Sequence, residues 1–191
     1  MQARNKMMTR KWWIIVGIIV LAALWLGGTY NGLVKRNEAI NGQWAQVETQ
    51  YQRRFDLIPN LVNSVKGIMA QEQKVFGDLA EARTRYAGAS SPEAKVRAAN
   101  DVESALGRLL VIVENYPQLR SSETVQTLMI QLEGTENRIS VERGRYNDAV
   151  KDYTVRIKRF PTNIVAGLFG FDERSYFQSQ SGAENAPTVT F

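Results

Sequence analysis

The sequence predicts an all-α protein, an elongated antiparallel helical bundle or coiled coil continuing from an N-terminal transmembrane helix. Three observations carry that expectation. Residues 12–26 hold no polar side chain. Beyond them, apolar residues recur at spacings of three and four over most of the chain, the signature of one buried helix face. No stretch of any length alternates apolar and polar residues as a half-buried strand would.

Residues 1–11 form a basic N-terminal segment with Arg4, Lys6, Arg10 and Lys11 and no acid. The predicted transmembrane helix follows at 12–30. Its nineteen uncharged residues reach about 28 Å at about 1.5 Å each, close to the ~30 Å hydrocarbon core of a bilayer. Trp12 and Trp13 stand at one edge and Trp25 and Tyr30 at the other, as in the aromatic belts at the two headgroup layers. A cleaved signal peptide has a shorter apolar part and ends at a small-x-small site. Here Ala22-Ala23-Leu24 is a poor site and helix-compatible sequence runs on, which favours an uncleaved anchor. The four basic residues before the span, against Lys35 and Arg36 after it, favour a cytoplasmic N-terminus and an exported C-terminal domain.

Residues 31–160 form the predicted bundle. Leu33, Ile40, Trp44, Val47, Tyr51, Phe55, Ile58, Val62, Val65 and Met69 trace the first stripe, with Asn37 in one seat and an irregular interval beside Pro59, where a bend is expected. Val75, Leu79, Ala82 and Tyr86 continue it to the break at 87–92. Ser91 is placed to cap the next helix, with Pro92 in its first turn. That helix carries Val96, Val102, Leu106, Leu109, Leu110 and Val113. After a second break at Pro117 and Ser121-Ser122, the stripe Val125, Leu128, Leu132, Thr135, Ile139, Glu142, Tyr146, Ala149, Tyr153, Ile157, Phe160 predicts one helix of about 38 residues, on the order of 57 Å long, stopped by Pro161. Pairs such as Glu81/Arg85, Glu93/Arg97 and Asp152/Arg156 suit exposed faces at i,i+4 spacing. Residues 161–177 are rich in aromatics, and Phe169, Phe171, Tyr176 and Phe177 are candidate contacts, either across one end of the bundle or with a membrane surface or second subunit. Residues 178–191, rich in Ser, Gln, Gly and Ala, are predicted to be disordered.

Composition removes whole classes of chemistry. The chain has 191 residues, a net charge of +5, no Cys and no His. Disulfides, the usual Cys- and His-ligated metal sites and imidazole-based nucleophilic systems are therefore excluded. Nucleotide-binding glycine loops and calcium loops are missing. Because the charge excess sits beside the apolar run, it points to a membrane surface and not to nucleic acid. No small-molecule substrate or cofactor is expected.

Two clusters stand out. Arg53, Arg54, Asp56, Pro59 and Asn60 place two guanidiniums and a carboxylate beside a helix-interrupting proline. This reads either as a structural polar knot or as a partner-binding or subunit-contact site. Glu133, Gly134, Glu136, Asn137 and Arg138 lie mid-way along the longest predicted helix. The oxygens of Glu133, Glu136 and Asn137 share one face, a spacing suited to helix packing with hydrogen bonds or to a carboxylate-bound metal. The metal bundles of that type also use Glu-x-x-His, which this chain lacks. Gly134 suggests close approach of a neighbouring backbone.

Several runs then match one family. Tyr30-Asn31-Gly32-Leu33-Val34, Trp44, the segment Arg53 to Val62, Val65-Lys66 and Ala82-Arg83 resemble the first half of the bacterial LemA family. Glu114 to Leu119, Leu132 to Ile139, Tyr146-Asn147 and Phe160-Pro161 resemble its second half. Thr154 departs from the pattern, where Asn would be expected. The resemblance covers the chain from the anchor to about Phe177. It implies a single-pass bacterial membrane protein with a mostly helical bundle and no catalytic residues to carry over. It also implies a short N-terminus outside the cell with the bulk inside, opposite to the charge count. The leading expectation is a non-enzymatic scaffold at the bacterial inner membrane that self-associates or holds other membrane or envelope proteins. A sensor or adaptor in envelope stress or membrane-protein quality control is the alternative, and a carboxylate-metal enzyme a third reading.

Overall fold

The computed structural model describes residues 2–177, with side chains from Trp12 onward. The disorder expected over 178–191 and the side chains of Arg4, Lys6, Arg10 and Lys11 lie outside the described residues. The fold is all-α. Its helices are α1 (Gln2–Val65), α2 (Gln73–Gly88), α3 (Pro92–Glu114), α4 (Pro117–Arg120), α5 (Glu123–Lys158) and α6 (Thr162–Phe169).

The helix boundaries follow local chemistry. The Ser91 hydroxyl accepts the Ala94 N–H at 3.2 Å and Pro92 opens α3, as the sequence predicts. Ser122 does the same for α5, accepting from the Val125 N–H at 3.5 Å. Helix α5 covers 36 residues and ends before Pro161. Helix α6 closes on Gly170 at φ +70°, where the Phe171 N–H returns to the Ala166 carbonyl at 3.0 Å; glycine takes this left-handed position without a Cβ clash.

One boundary differs from expectation. Helix α1 runs on through Pro59 to Val65. The chain then breaks at residues 66–72, inside a stretch that reads as continuous stripe. Met69 is fully buried in that turn. A turn residue that plugs the core keeps the apolar spacing of a helix, so periodicity alone does not register the break.

The described residues fall into two compact units. In the first, residues up to Asn41 join Asp148–Arg174. Its α1 segment contains the apolar run, which is long and apolar enough to cross a membrane and stands almost wholly exposed. Leu33 and Ile40 of α1, Val150, Tyr153 and Ile157 of α5, and Val165 and Ala166 of α6 are buried. Burial raises the pKa of the Tyr153 hydroxyl above its ordinary value.

In the second unit, Gly42–Asn147 join the segment from Ser175. Cross-helix pairs fix the directions of its helices. Arg85 meets Asp101 at 3.6 Å and Arg108 meets Asp78 at 3.5 Å, so α2 and α3 run antiparallel. Arg85 thus reaches across to another helix, where the i,i+4 spacing suggests a partner on its own. Lys95 pairs with Glu48, and Arg54 lies beside Glu103, so α3 runs parallel to α1. Trp44 packs on Tyr146 and Arg54 pairs with Glu136, so α5 opposes α1. The result is an up-down-up-down arrangement of four helices.

The core of α1 keeps every expected apolar seat as buried or half-buried, Phe55 included, and adds Arg54 and Leu61. Positions 33, 37, 40, 44, 47, 51, 54, 58, 61 and 65, with Asn37 and Trp44 half-buried, follow strict steps of four and three, and Phe55 is buried beside Arg54. Leu61 is fully buried and Val62 only half-buried. On α5, Val150 is buried where Ala149 was expected, and Phe160 is exposed. Leu61→Ala should therefore lower unfolding free energy by about 3 kcal/mol, and Val62→Ala by about 1 kcal/mol or less. Thermal melts followed by circular dichroism test the order; a larger cost at Val62 would refute this register.

Candidate functional site

The strict register carries a charged residue into the core. Arg54 is the largest fully buried side chain among the described residues, 1% exposed. A lone guanidinium there would be severely destabilising, so it must be neutralised. Glu136 of α5 forms an ion pair with it, and Glu103 of α3 lies with a carboxylate oxygen 3.9 Å from its Nη1. Burial lowers the Arg54 pKa, and Glu103 opposes that shift.

A second arginine extends the network. Arg143 of α5 donates to the Tyr51 hydroxyl from Nε at 3.1 Å and from Nη2 at 2.9 Å. Its Nη2 also donates to Asn100 Oδ1 at 3.3 Å and lies 3.5 Å from Glu103. The guanidinium sits 5.6 Å from both the Tyr51 and Phe177 ring centroids, within cation–π range. Tyr51 in turn packs against Phe55 and Tyr86, whose rings are themselves 4.4 Å apart. Burial raises the Tyr51 hydroxyl pKa and Arg143 opposes the shift. Burial likewise raises that of Tyr86.

Three helices are thus joined by two arginines and two glutamates whose charges sum to zero. The arrangement offers no nucleophile with a base beside it. It reads as a device that selects one helix register, since a slip would bury Arg54 without its carboxylates. Beside it is a groove of about 420 Å³, lined by Leu106, Leu110, Met129 and Leu132 together with Arg54 and three glutamates.

The structure divides each cluster that stood out in sequence. Arg54 points inward, whereas Arg53, Asp56 and Asn60 are exposed on another face of α1. Asp56 accepts from Gln52 Nε2 at 2.8 Å, and the Asn60 carbonyl accepts from the Ser64 hydroxyl at 2.8 Å. Glu136 turns to Arg54, while Glu133, Gly134, Asn137 and Arg138 face outward. Among the described residues, no three acidic side chains gather to hold a metal ion. Close approach at Gly134 is not found: a Cβ added there would meet nothing within 4 Å. Gly134 instead lines an open groove of about 450 Å³ with Arg53, Leu57, Ile130, Gln131, Thr135 and Arg138.

The aromatic tail also divides between the units. Phe169 and Phe171 pack edge-on against Tyr30 at 4.9 and 5.6 Å. Phe177 stacks on Trp44 at 5.7 Å and meets Tyr146 edge-on at 5.0 Å. Its N–H donates to Asn147 Oδ1 at 2.8 Å, and its carbonyl accepts from Asn147 Nδ2 at 3.1 Å. Tyr176 is exposed, as are Trp12, Trp13 and Trp25.

A model of the LemA family matches residues 43–191. The chain belongs to the LemA family. Its similar relatives include two magnetosome proteins, MamQ 1 and MamQ 2, of Paramagnetospirillum magneticum. Each is 29% identical to it, over 84% of this chain and 68% of the relative. The magnetosome protein MamQ of Magnetospirillum gryphiswaldense is 28% identical over the same shares. In this LemA-family chain, the Arg53–Val62 run supplies the buried cation, the Leu132–Ile139 run supplies its carboxylate, and Tyr146-Asn147 holds the returning C-terminal segment. Arg143, Glu103 and Asn100 escaped the sequence reading. The available signal was the strict four-three spacing, which lands on Arg54 and demands anionic partners on neighbouring helices.

Glu136→Ala should strand the buried guanidinium and lower stability by about 3 kcal/mol, the low end for a broken buried pair because Glu136 keeps 42% of its side-chain surface exposed. Arg54→Met with Glu136→Leu should recover most of that loss, measured by denaturant unfolding. A second expectation concerns alkaline pH. The folded-state pKa of Tyr51 lies above its unfolded value of about 10, so the stability it contributes is present below pH ~10 and is lost as pH rises through the folded value. Unfolding free energy should therefore fall above pH ~10. Tyr51→Phe should cost about 1 kcal/mol at neutral pH through its lost hydrogen bonds and make the alkaline decline shallower, as read from unfolding curves across pH.

Proposed function

We propose that this LemA-family protein is a non-enzymatic helical scaffold, tethered to the bacterial inner membrane by α1, that self-associates or holds other membrane proteins. One observation carries the reading: the exposed apolar run of α1 continues, as the same helix, into the register held by Arg54. An anchor on the same helix that carries Arg54 suits a platform at a bilayer. The network around Arg54 supports a structural role, since its groups neutralise each other. The relatives are named for a cellular structure and not for a reaction, which agrees with that role. Four basic residues before the span, against two after it, favour the bundle on the exported side.

The contact face we favour is the groove between Arg53 and Arg138 over Gly134. Ile130 stands in it, 68% exposed. Arg53 and Arg138 are exposed, so Arg53→Glu with Arg138→Glu should change stability by only about 0.5 kcal/mol while releasing the partner or second copy. Arg54 is unsuitable for that test because its reversal would disrupt the core. Particle size in mild detergent, with and without the two substitutions, is the readout; a wild-type monomer with no co-purifying protein would defeat the scaffold reading. Topology follows from Ser90→Cys, in the exposed loop before α3. Labelling by an impermeant maleimide in intact cells is expected, and labelling only after lysis would place the bundle in the cytoplasm.

A further inference from the structure

We propose that α6 is a second membrane-contacting element, lying in the interfacial layer of the same bilayer that takes the α1 anchor. Its eight residues contain no charge. Val165 and Ala166 are buried against the protein, whereas Ile164 and Leu168, one turn apart, remain 62% and 71% exposed. Phe160, just before the helix, is 75% exposed and Phe169 is 48% exposed. A short helix with one apolar face packed inward and another apolar face left open lacks the polar outer face of a helix in water.

Its position argues for lipid as the occupant. Phe169 and Phe171 clasp Tyr30, which closes the uncharged run of α1. On α1, Leu24 and Trp25 are exposed, Leu26 is half-buried and Thr29 is buried, so protein cover begins in the last turn of the run. The distance from Leu26 to Tyr30 is about 6 Å along the axis, comparable to the ~5–10 Å depth at which amphipathic helices rest in the headgroup–acyl boundary. Through Phe169, α6 is thus tied to the end of the apolar run of α1. Polar groups lie further along α1: Arg174 donates to Asn37 Oδ1 at 3.0 and 3.2 Å, two turns beyond Tyr30. Lys158 and Glu173 pair at 2.7 Å beside the helix, and Arg159 is exposed next to Phe160, where a long cationic side chain can reach lipid phosphates. The gradient from apolar to charged within this unit matches the gradient across a membrane interface.

The proposal rests on α1 inserting in the bilayer, and the experiment separates the two claims. The chain has no cysteine, so Leu168→Cys, Ile164→Cys, Leu21→Cys and Ser90→Cys each provide one attachment point for an environment-sensitive fluorophore. The full chain is reconstituted in phosphatidylcholine–phosphatidylglycerol vesicles carrying nitroxide either high on the acyl chain or at its end. Each variant is first matched to wild type in helical circular dichroism, and Ile164 serves if Leu168 does not tolerate the change. The Leu168 and Ile164 labels should be blue-shifted and lose emission to the shallow nitroxide, the Leu21 label to the deep one, and the Ser90 label to neither. A Leu21 label quenched beside a water-exposed Leu168 label would overturn the interfacial role of α6 alone. Shielding of Leu168 from aqueous iodide without lipid quenching would assign the face to a second copy or another protein and also overturn it. Failure of the Leu21 label to meet lipid would overturn the anchor and this inference together.

Discussion

The second unit depends on one constraint: a guanidinium sits where an aliphatic side chain would ordinarily be. Arg54 occupies a core seat of α1, so the helices around it must bring carboxylates to a fixed height. Glu136 and Glu103 do this from α5 and α3. A shift of either helix would pull Glu136 or Glu103 away from the buried cation. Apolar contacts among Leu, Val and Ala tolerate sliding; a buried charge does not. Tyr51 and Arg143 extend the same requirement toward Trp44 and the returning C-terminal segment.

The first unit is organised by exposure. Its α1 segment presents isoleucine, leucine and tryptophan outward on all sides until Leu26, and only then does the protein begin to cover it. Tyr30 marks the change, held by the two phenylalanines that flank Gly170. Among the described residues, α1 is the one helix long and apolar enough to cross a membrane. The helix α1 supplies residues to both units and carries the exposed run.

What the family membership adds is modest and consistent. The runs that mark the chain as LemA-like hold both core and surface residues. Arg54 and Glu136 come from two of them and meet, while Tyr146 and Asn147 receive Ser175 and Phe177. These four residues serve packing, whereas Arg53, Asp56, Asn60, Glu133, Asn137 and Arg138 of the same runs are exposed.

The sequence alone determined the helical class, the apolar run, the cap at Ser91 and the length of α5, because each is set by neighbours within a few residues. It also contained the true register of α1, since steps of four and three continue through 51, 54, 58, 61 and 65. The charge on Arg54 hid it: Phe55, buried beside it, stood for that seat, and Val62, only half-buried, stood for Leu61. Met69 concealed a turn for the opposite reason, by being apolar where the helix stops. Only the tertiary structure decided which of two adjacent arginines is buried, which glutamate answers it, and that Gly134 opens a groove and does not admit a backbone. Those outcomes rest on partners forty to ninety residues away, brought together by antiparallel packing, and no local pattern encodes the height at which two helices meet.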